Sequence, residues 1–301
     1  MSMRRFPAGG RRAVAWTVLS VWAAVCGPWH AARSDEGIEA AGGRPPCELR
    51  VESELFENGG DGPTARSLTV FDEGVAWDFL EVPSAKGKDQ PLAVGEIVLH
   101  DPARERVLVI DPVRHLKTQI DSIRLERMSV SLAKWARGSD DRLIRWAGGP
   151  DFTPGFTETA SRIELAGPRV RYAVAYEEAP SVEAAGMYRK FADTAILLKA
   201  LMQPGGIPPF PRLAVNRRLE DAAAIPAEVT LEIDSRLTTI GGRLERLRCV
   251  HKVHPRLLAG DRRRIEDAKG HVATAEAVDL ATFVDRDHDD EQTARLEPGG
   301  T

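Results

Sequence analysis

The side chains in this chain that could do chemistry are few, and their spacing decides what each can do. His251 and His254 form a His-x-x-His pair, with Cys249 two residues before it. On a strand, alternate side chains point to opposite faces, so the two imidazoles diverge while Cys249 and His251 share a face. Two ligands on one face do not complete a zinc site, and no third lies nearby in sequence. His100 stands beside Asp101, and His115 follows Asp111. Either could act as a base if the fold brought a serine or carboxylate alongside; otherwise both are surface turn residues. There is no Gly-x-Ser-x-Gly elbow. The glycine pairs at 148–149, 205–206 and 241–242 lack the strand–glycine–helix order and the lysine of a phosphate loop. The acids between Asp287 and Glu291 lack the spacing of an ordered calcium loop and read as a solvated tail. No cofactor fingerprint and no metal set is expected, and no catalytic residue is assigned.

The elements that position these groups begin as strands. Cys47–Phe56, Arg66–Phe71, Val75–Val82, Val94–His100, Arg106–Ile110 and Arg114–Gln119 alternate or run apolar between turn clusters. That spacing predicts an antiparallel meander, not βαβ units. The period then shifts: Ile123, Leu125, Met128, Leu132 and Trp135 mark a helix over 122–137, and a short one is expected over Asp140–Trp146. Ser161–Leu165 and Val170–Glu177 read as a hairpin-like pair. Ala184–Met202 is the strongest helical pattern, with Met187, Phe191, Ile196, Leu197 and Leu201 on one side. Pro208, Pro209 and Pro211 predict an extended path over Gly206–Leu213. Two strands, Ala227–Ile233 and Leu244–Val253, and a helix over Leu257–Ala268 follow; Val272–Val284 fits neither pattern. The fold class expected is α+β, mainly β with covering helices, built on a curved antiparallel sheet or half-barrel. Residues 46–284 are read as one domain, preceded by a glycine-rich leader at 33–45 and followed by a disordered acidic tail at 285–301.

The first 32 residues have a different character. Arg4, Arg5, Arg11 and Arg12 precede an uncharged run from Ala13 to Cys26, with Gly27, Pro28 and small Ala31 and Ala32 behind it. That is the order of a secretory signal, and fourteen residues fall short of the roughly 20 that span a bilayer. The protein is therefore expected to be exported, periplasmic or extracellular, free or tethered, and not an integral membrane protein once the signal is removed. Removal would take the formal charge from −4 to about −8, which disfavours nucleic acid as a partner. Cys47 and Cys249 are the two cysteines beyond the signal. In an oxidising compartment they form either a disulfide joining the first strand to a late one or two separate buried thiols.

The run of strands Ser67–Phe71, Gly74–Phe79, Gly95–Leu99, Arg106–Asp111 and Arg114–Gln119, with a helix opening at Asp121, resembles the periplasmic lipoprotein carrier and lipoprotein-sorting family. The pattern Val107-Leu-Val-Ile-Asp-Pro-Val-Arg-His115 is similar to exported bacterial members of that kind. The resemblance covers roughly residues 46–253 and matches no site motif position by position. It implies an incomplete β-barrel lined with apolar side chains and closed by helices. The corresponding expectation is a non-enzymatic cell-envelope protein that binds a lipid or acyl chain, or a lipoprotein or other envelope protein, on the concave sheet face. Trp77 and Phe79 on a strand, with Met187 and Phe191 on the covering helix, are the candidate ligand-binding residues. An exported hydrolase and a purely structural interaction protein are the alternatives.

Overall fold

Short turns allow the alternating runs to pair with their immediate neighbours. The computed structural model describes residues 47–83, 92–150, 155–202, 206–234 and 244–285. The expected signal, the leader and the tail beyond Asp285 lie outside the described residues. Strands β1 (Leu49–Glu57), β2 (Ala65–Asp72), β3 (Val75–Pro83), β4 (Leu92–Asp101), β5 (Arg106–Asp111) and β6 (Leu116–Asp121) form the antiparallel meander. Between β2 and β3, Asp72 pairs with Val75, leaving a two-residue turn in which Glu73 and Gly74 have φ of 52° and 79°. That left-handed pair matches the right-handed twist of the flanking strands.

Helices α1 (Ser122–Arg137) and α2 (Arg142–Ala147) follow, then β7 (Phe156–Thr159), β8 (Arg162–Ala166) and β9 (Val170–Glu178). The Asp141 carboxylate starts α2 by accepting from the Leu143 and Ile144 amides at 2.7 and 3.0 Å. Next come α3 (Val182–Met202), α4 (Phe210–Asp221), β10 (Ala224–Asp234), β11 (Leu244–His254), α5 (Ala259–Thr274) and β12 (Glu276–Ala277). A helical segment at 280–285 ends the described chain. Strand β11 returns to pair with β1, so both halves of the chain share one sheet of twelve strands, ordered β12-β6-β5-β4-β3-β2-β1-β11-β10-β9-β8-β7. Among the described residues only the β12–β6 pair is parallel. The fold is α+β, with a curved sheet that does not close.

One expectation needs correction here. The proline-rich stretch is not extended throughout, because Phe210 opens α4. Pro209 occupies its N-cap position and Pro211 its first turn. Those are the positions where a missing amide proton costs nothing and the fixed φ suits a helix.

The sheet is covered on both faces over β2–β5, which explains the nearly continuous apolar runs there. On one face Leu68, Val70, Trp77, Phe79, Ile97, Leu99, Leu108 and Ile110 pack beneath Ile265 and Ala268 of α5. Arg50 of β1 and Asp261 of α5 make an ion pair at 3.0 Å on that side, and Arg264 reaches Glu81 at 3.1 Å. On the opposite face Leu49, Val51, Phe71 and Ala76 meet Ala184, Ala185, Tyr188 and Phe191 of α3. Further along that face Val98, Val107, Val109 and Ile120 meet Leu125 of α1 and Leu198 of α3. Removing Phe79 would therefore open a hole under α5 without touching α3. Phe79→Ala is expected to destabilise the protein by about 3–5 kcal/mol in urea unfolding. Ile265→Ala should be less than additive with it, since both truncations open the same space.

Candidate functional site

Where α3 crosses β1–β4, short side chains face short side chains. The sheet offers Ser53, Ser67 and Thr69, and the helix offers Ala192 and Ala195. Neither layer fills the gap between them, and a cavity of about 160 Å³ remains. Leu55, Leu80 and Val98 from the sheet and Phe191, Ile196 and Leu198 from the helix give it apolar walls.

The floor is polar, and strand register builds it. Ser53 lies opposite His251 on one side and Ser67 on the other, and Thr69 lies opposite Asp78. His251 Nδ1 and Ser53 Oγ are 2.8 Å apart. Asp78 Oδ1 accepts from both Ser67 Oγ and, at 2.7 Å, Thr69 Oγ1. Glu96 closes the stripe and accepts from Lys199 Nζ of α3 at 2.8 Å. Arg212 of α4, 1% exposed, also lines the cavity. Behind it Asp193 accepts from Asn216 Nδ2 at 2.8 Å and from Arg189 Nε at 3.1 Å.

Burial sets the protonation of these groups. It raises the Asp78 carboxyl against the lowering effect of Ser67 and Thr69, with Glu96 adding to the rise. It lowers His251 to about 3, helped by the Arg212 charge, and raises Cys249 to about 12 and Tyr188 to about 12. Arg212 itself is lowered by burial. The Ser53–His251 contact has the composition of a nucleophile and its base. An imidazole held so firmly neutral is, however, a poor proton acceptor at neutral pH. The pair serves as a cross-strand hydrogen bond, and the arrangement as a whole is suited to binding.

The structure distributes the sequence-derived candidates unevenly. Phe191 lines the cavity. Met187, one turn earlier, packs on the Leu49 and Phe71 cluster. Trp77 and Phe79 point to the other side of the sheet, beneath α5, because β3 alternates: Asp78 and Leu80 face the cavity, and Ala76 faces α3 beside it. Trp77 borders a second depression, about 530 Å³, between α5 and the β2–β3 and β4–β5 turns. Of the three acids that line it, Asp72, Glu73 and Asp101, the buried Asp101 is held by Arg104 at 2.7 Å and Arg106 at 3.3 Å. The four candidates thus do not form one site. Of the candidate bases, His100 is buried against Phe191 with Thr194 Oγ1 at 3.4 Å, while His115 and His254 are exposed.

The cysteine pairing is also corrected: Cys47 and Cys249 are both free. Cys249 lies opposite Leu55, six residues along β1 from Leu49, and Cys47 precedes Leu49. At about 3.3 Å per residue this places them some 20 Å or more apart, beyond the roughly 7 Å limit for a bridge.

Sequence reasoning missed Ser67, Thr69, Asp78, Glu96, Lys199 and Arg212. A signal existed for the sheet members: each is a polar residue in the inward phase of an otherwise apolar strand. Among the described residues no helix is long and apolar enough to cross a membrane. No protein-family model matches the sequence, and no curated protein matches it at a significant level.

His251 and His100 are both held neutral by burial, so their lowered folded values make a stability contribution that is present above the ordinary histidine range. It is lost as pH falls below about 6.5, where the unfolded chain takes up the protons first. Urea unfolding between pH 7.5 and 5 is expected to show stability falling with acid. His251→Gln should flatten that slope, and an unchanged slope would contradict the burial of this ring.

Proposed function

We propose that the protein is an exported, non-enzymatic binder of a small acyl or other apolar ligand, held between the sheet and α3. The observation that carries this reading is the cavity itself. An unfilled space with apolar walls persists between α3 and the sheet, and ligand sites take that form: apolar concavities with a few placed polar groups. Its size bounds the occupant. A dry cavity of about 150 Å³ holds a molecule the size of benzene. The space beneath α3 therefore suits one short chain or ring, and a diacyl lipid would enter only if α3 moved away from the sheet. Export is supported by the arginine-led, uncharged segment at the start of the sequence.

A hydrolase reading is disfavoured by the neutral, buried His251. A protein partner is the second reading and has its own observation. Helix α1 leaves Ile123, Val130 and Trp135 at 52%, 71% and 60% exposure, although Leu125, Ala133 and Ala136 dock its other side.

The test is native mass spectrometry of the protein purified from an exporting host, followed by organic extraction and analysis of the released molecule. A co-purifying species at one per chain is expected, and Ala195→Phe, which fills the space, should lose it while remaining folded. A ligand-free spectrum together with no binding of a small apolar probe such as hexan-1-ol would overturn the reading.

A further inference from the structure

Three of the six large apolar side chains exposed among the described residues, Ile123, Val130 and Trp135, lie on α1. What lies between them is cationic. Ile123, Arg127, Val130, Lys134 and Arg137 follow one another at steps of four and three residues and so form one row along the helix. Arg124, Ser131 and Trp135 fall on the row beside it. All of these side chains are exposed, and the single acid of the helix, Glu126, belongs to neither row. Arg124, Arg127, Lys134 and Arg137 make no ion pair among the described residues. Arg137 donates to the Gly148 carbonyl at 2.8 Å, which leaves its charge uncompensated. Elsewhere on the surface arginines do pair: Arg104, Arg106, Arg162, Arg171, Arg262 and Arg264 each reach a carboxylate. Helix α2, whose Ile144 packs on the cluster of Ala133 and Ala136, adds the exposed Arg142 and Arg145. Residues 122–147 thus carry six cations and three acids, in a chain whose formal charge is −4.

We propose that this face of α1 docks peripherally on an anionic phospholipid membrane. The Arg and Lys side chains meet the headgroup phosphates, and Ile123, Val130 and Trp135 enter the boundary between headgroups and acyl chains. A helix held in that plane gains from apolar burial and from attraction to anionic lipid together, and tryptophan is favoured at headgroup depth. A cation with no ion pair gives up no partner when it turns to phosphate, and each is worth about fivefold in affinity near an anionic surface. A nucleic acid would use the cations and leave the three apolar side chains in water. A protein partner would bury the apolar side chains but would need an acid placed for each cation, whereas a lipid surface supplies mobile phosphates to all of them. No residue of α1 lines the cavity beneath α3, so the proposal goes beyond the ligand reading and holds whether or not that cavity is filled.

Co-sedimentation of the protein, purified from an exporting host, with two kinds of vesicle tests this directly. One kind mixes phosphatidylglycerol with phosphatidylcholine, and the other is phosphatidylcholine alone. Binding to the mixed vesicles is expected, with little to phosphatidylcholine, and added salt should weaken it. Reversing two charges with Arg127→Glu and Lys134→Glu should cost at least about twentyfold in affinity. Trp135→Ser should cost about tenfold, because the ring no longer leaves water. All three positions are exposed, so the variants keep the fold. Arg263→Glu on α5 reverses an exposed cation away from this face and should change binding by less than about twofold. Absence of binding to the mixed vesicles overturns the proposal, as does equal binding to both kinds. Binding that survives the paired reversal, or that Arg263→Glu weakens as much as Arg127→Glu alone, also overturns it, because attachment would then lie elsewhere on the chain. A stoichiometric protein partner that requires Trp135, with no vesicle association, overturns it in favour of a protein interface.

Discussion

Packing α3 across β1–β4 takes Asp78, Glu96, Lys199 and Arg212 out of water. Charge survives such burial only where hydrogen bonds and opposite charge replace hydration. Strand register meets that demand: it sets Ser53 against His251, and it sets Thr69 against Asp78, with Ser67 close enough to donate to the same carboxylate oxygen. Lys199 reaches down from the helix to Glu96. The same close approach explains the void, because a floor of serines and threonine under a roof of alanines cannot fill the space between helix and sheet.

The other sheet face keeps that floor in place. Strands β2–β5 are clamped between α3 and α5, so the inward polar residues sit on backbone that is packed from both sides. Trp77 and Phe79 contribute by anchoring α5. Each buries an apolar side chain worth about 1.5–3 kcal/mol, and together they offset part of the cost of the buried polar stripe. Surface ion pairs such as Arg264–Glu81 align α5 but add little energy of their own.

Much of this architecture was legible in the sequence. The meander from Cys47 to Gln119, the helices at 122–137 and 184–202 and the late strands follow from period and turn chemistry, which are local properties. The losses were non-local or depended on one ambiguous residue type. Pro209 and Pro211 in isolation look like helix breakers, although the same residues start a helix when one is its N-cap and the other stands in its first turn, as in α4. Trp77 and Phe79 stand out in the sequence because they are large. Their phase on β3 was legible, but which helix covered which face was not. Asp78 between them marked the cavity-facing phase. Cys47 and Cys249 both fell in strand-like runs, yet their positions along those runs became comparable only once β11 was paired with β1.

The central claim is that the space between α3 and the sheet is a ligand site. A crystal structure of the protein soaked with 6-bromohexan-1-ol would test it most directly, since the bromine can be located by its anomalous scattering. The account predicts bromine density in the cavity, among Phe191, Ala195 and Val98. Bromine confined to the depression beside Trp77, with the cavity beneath α3 closed or empty, would contradict it.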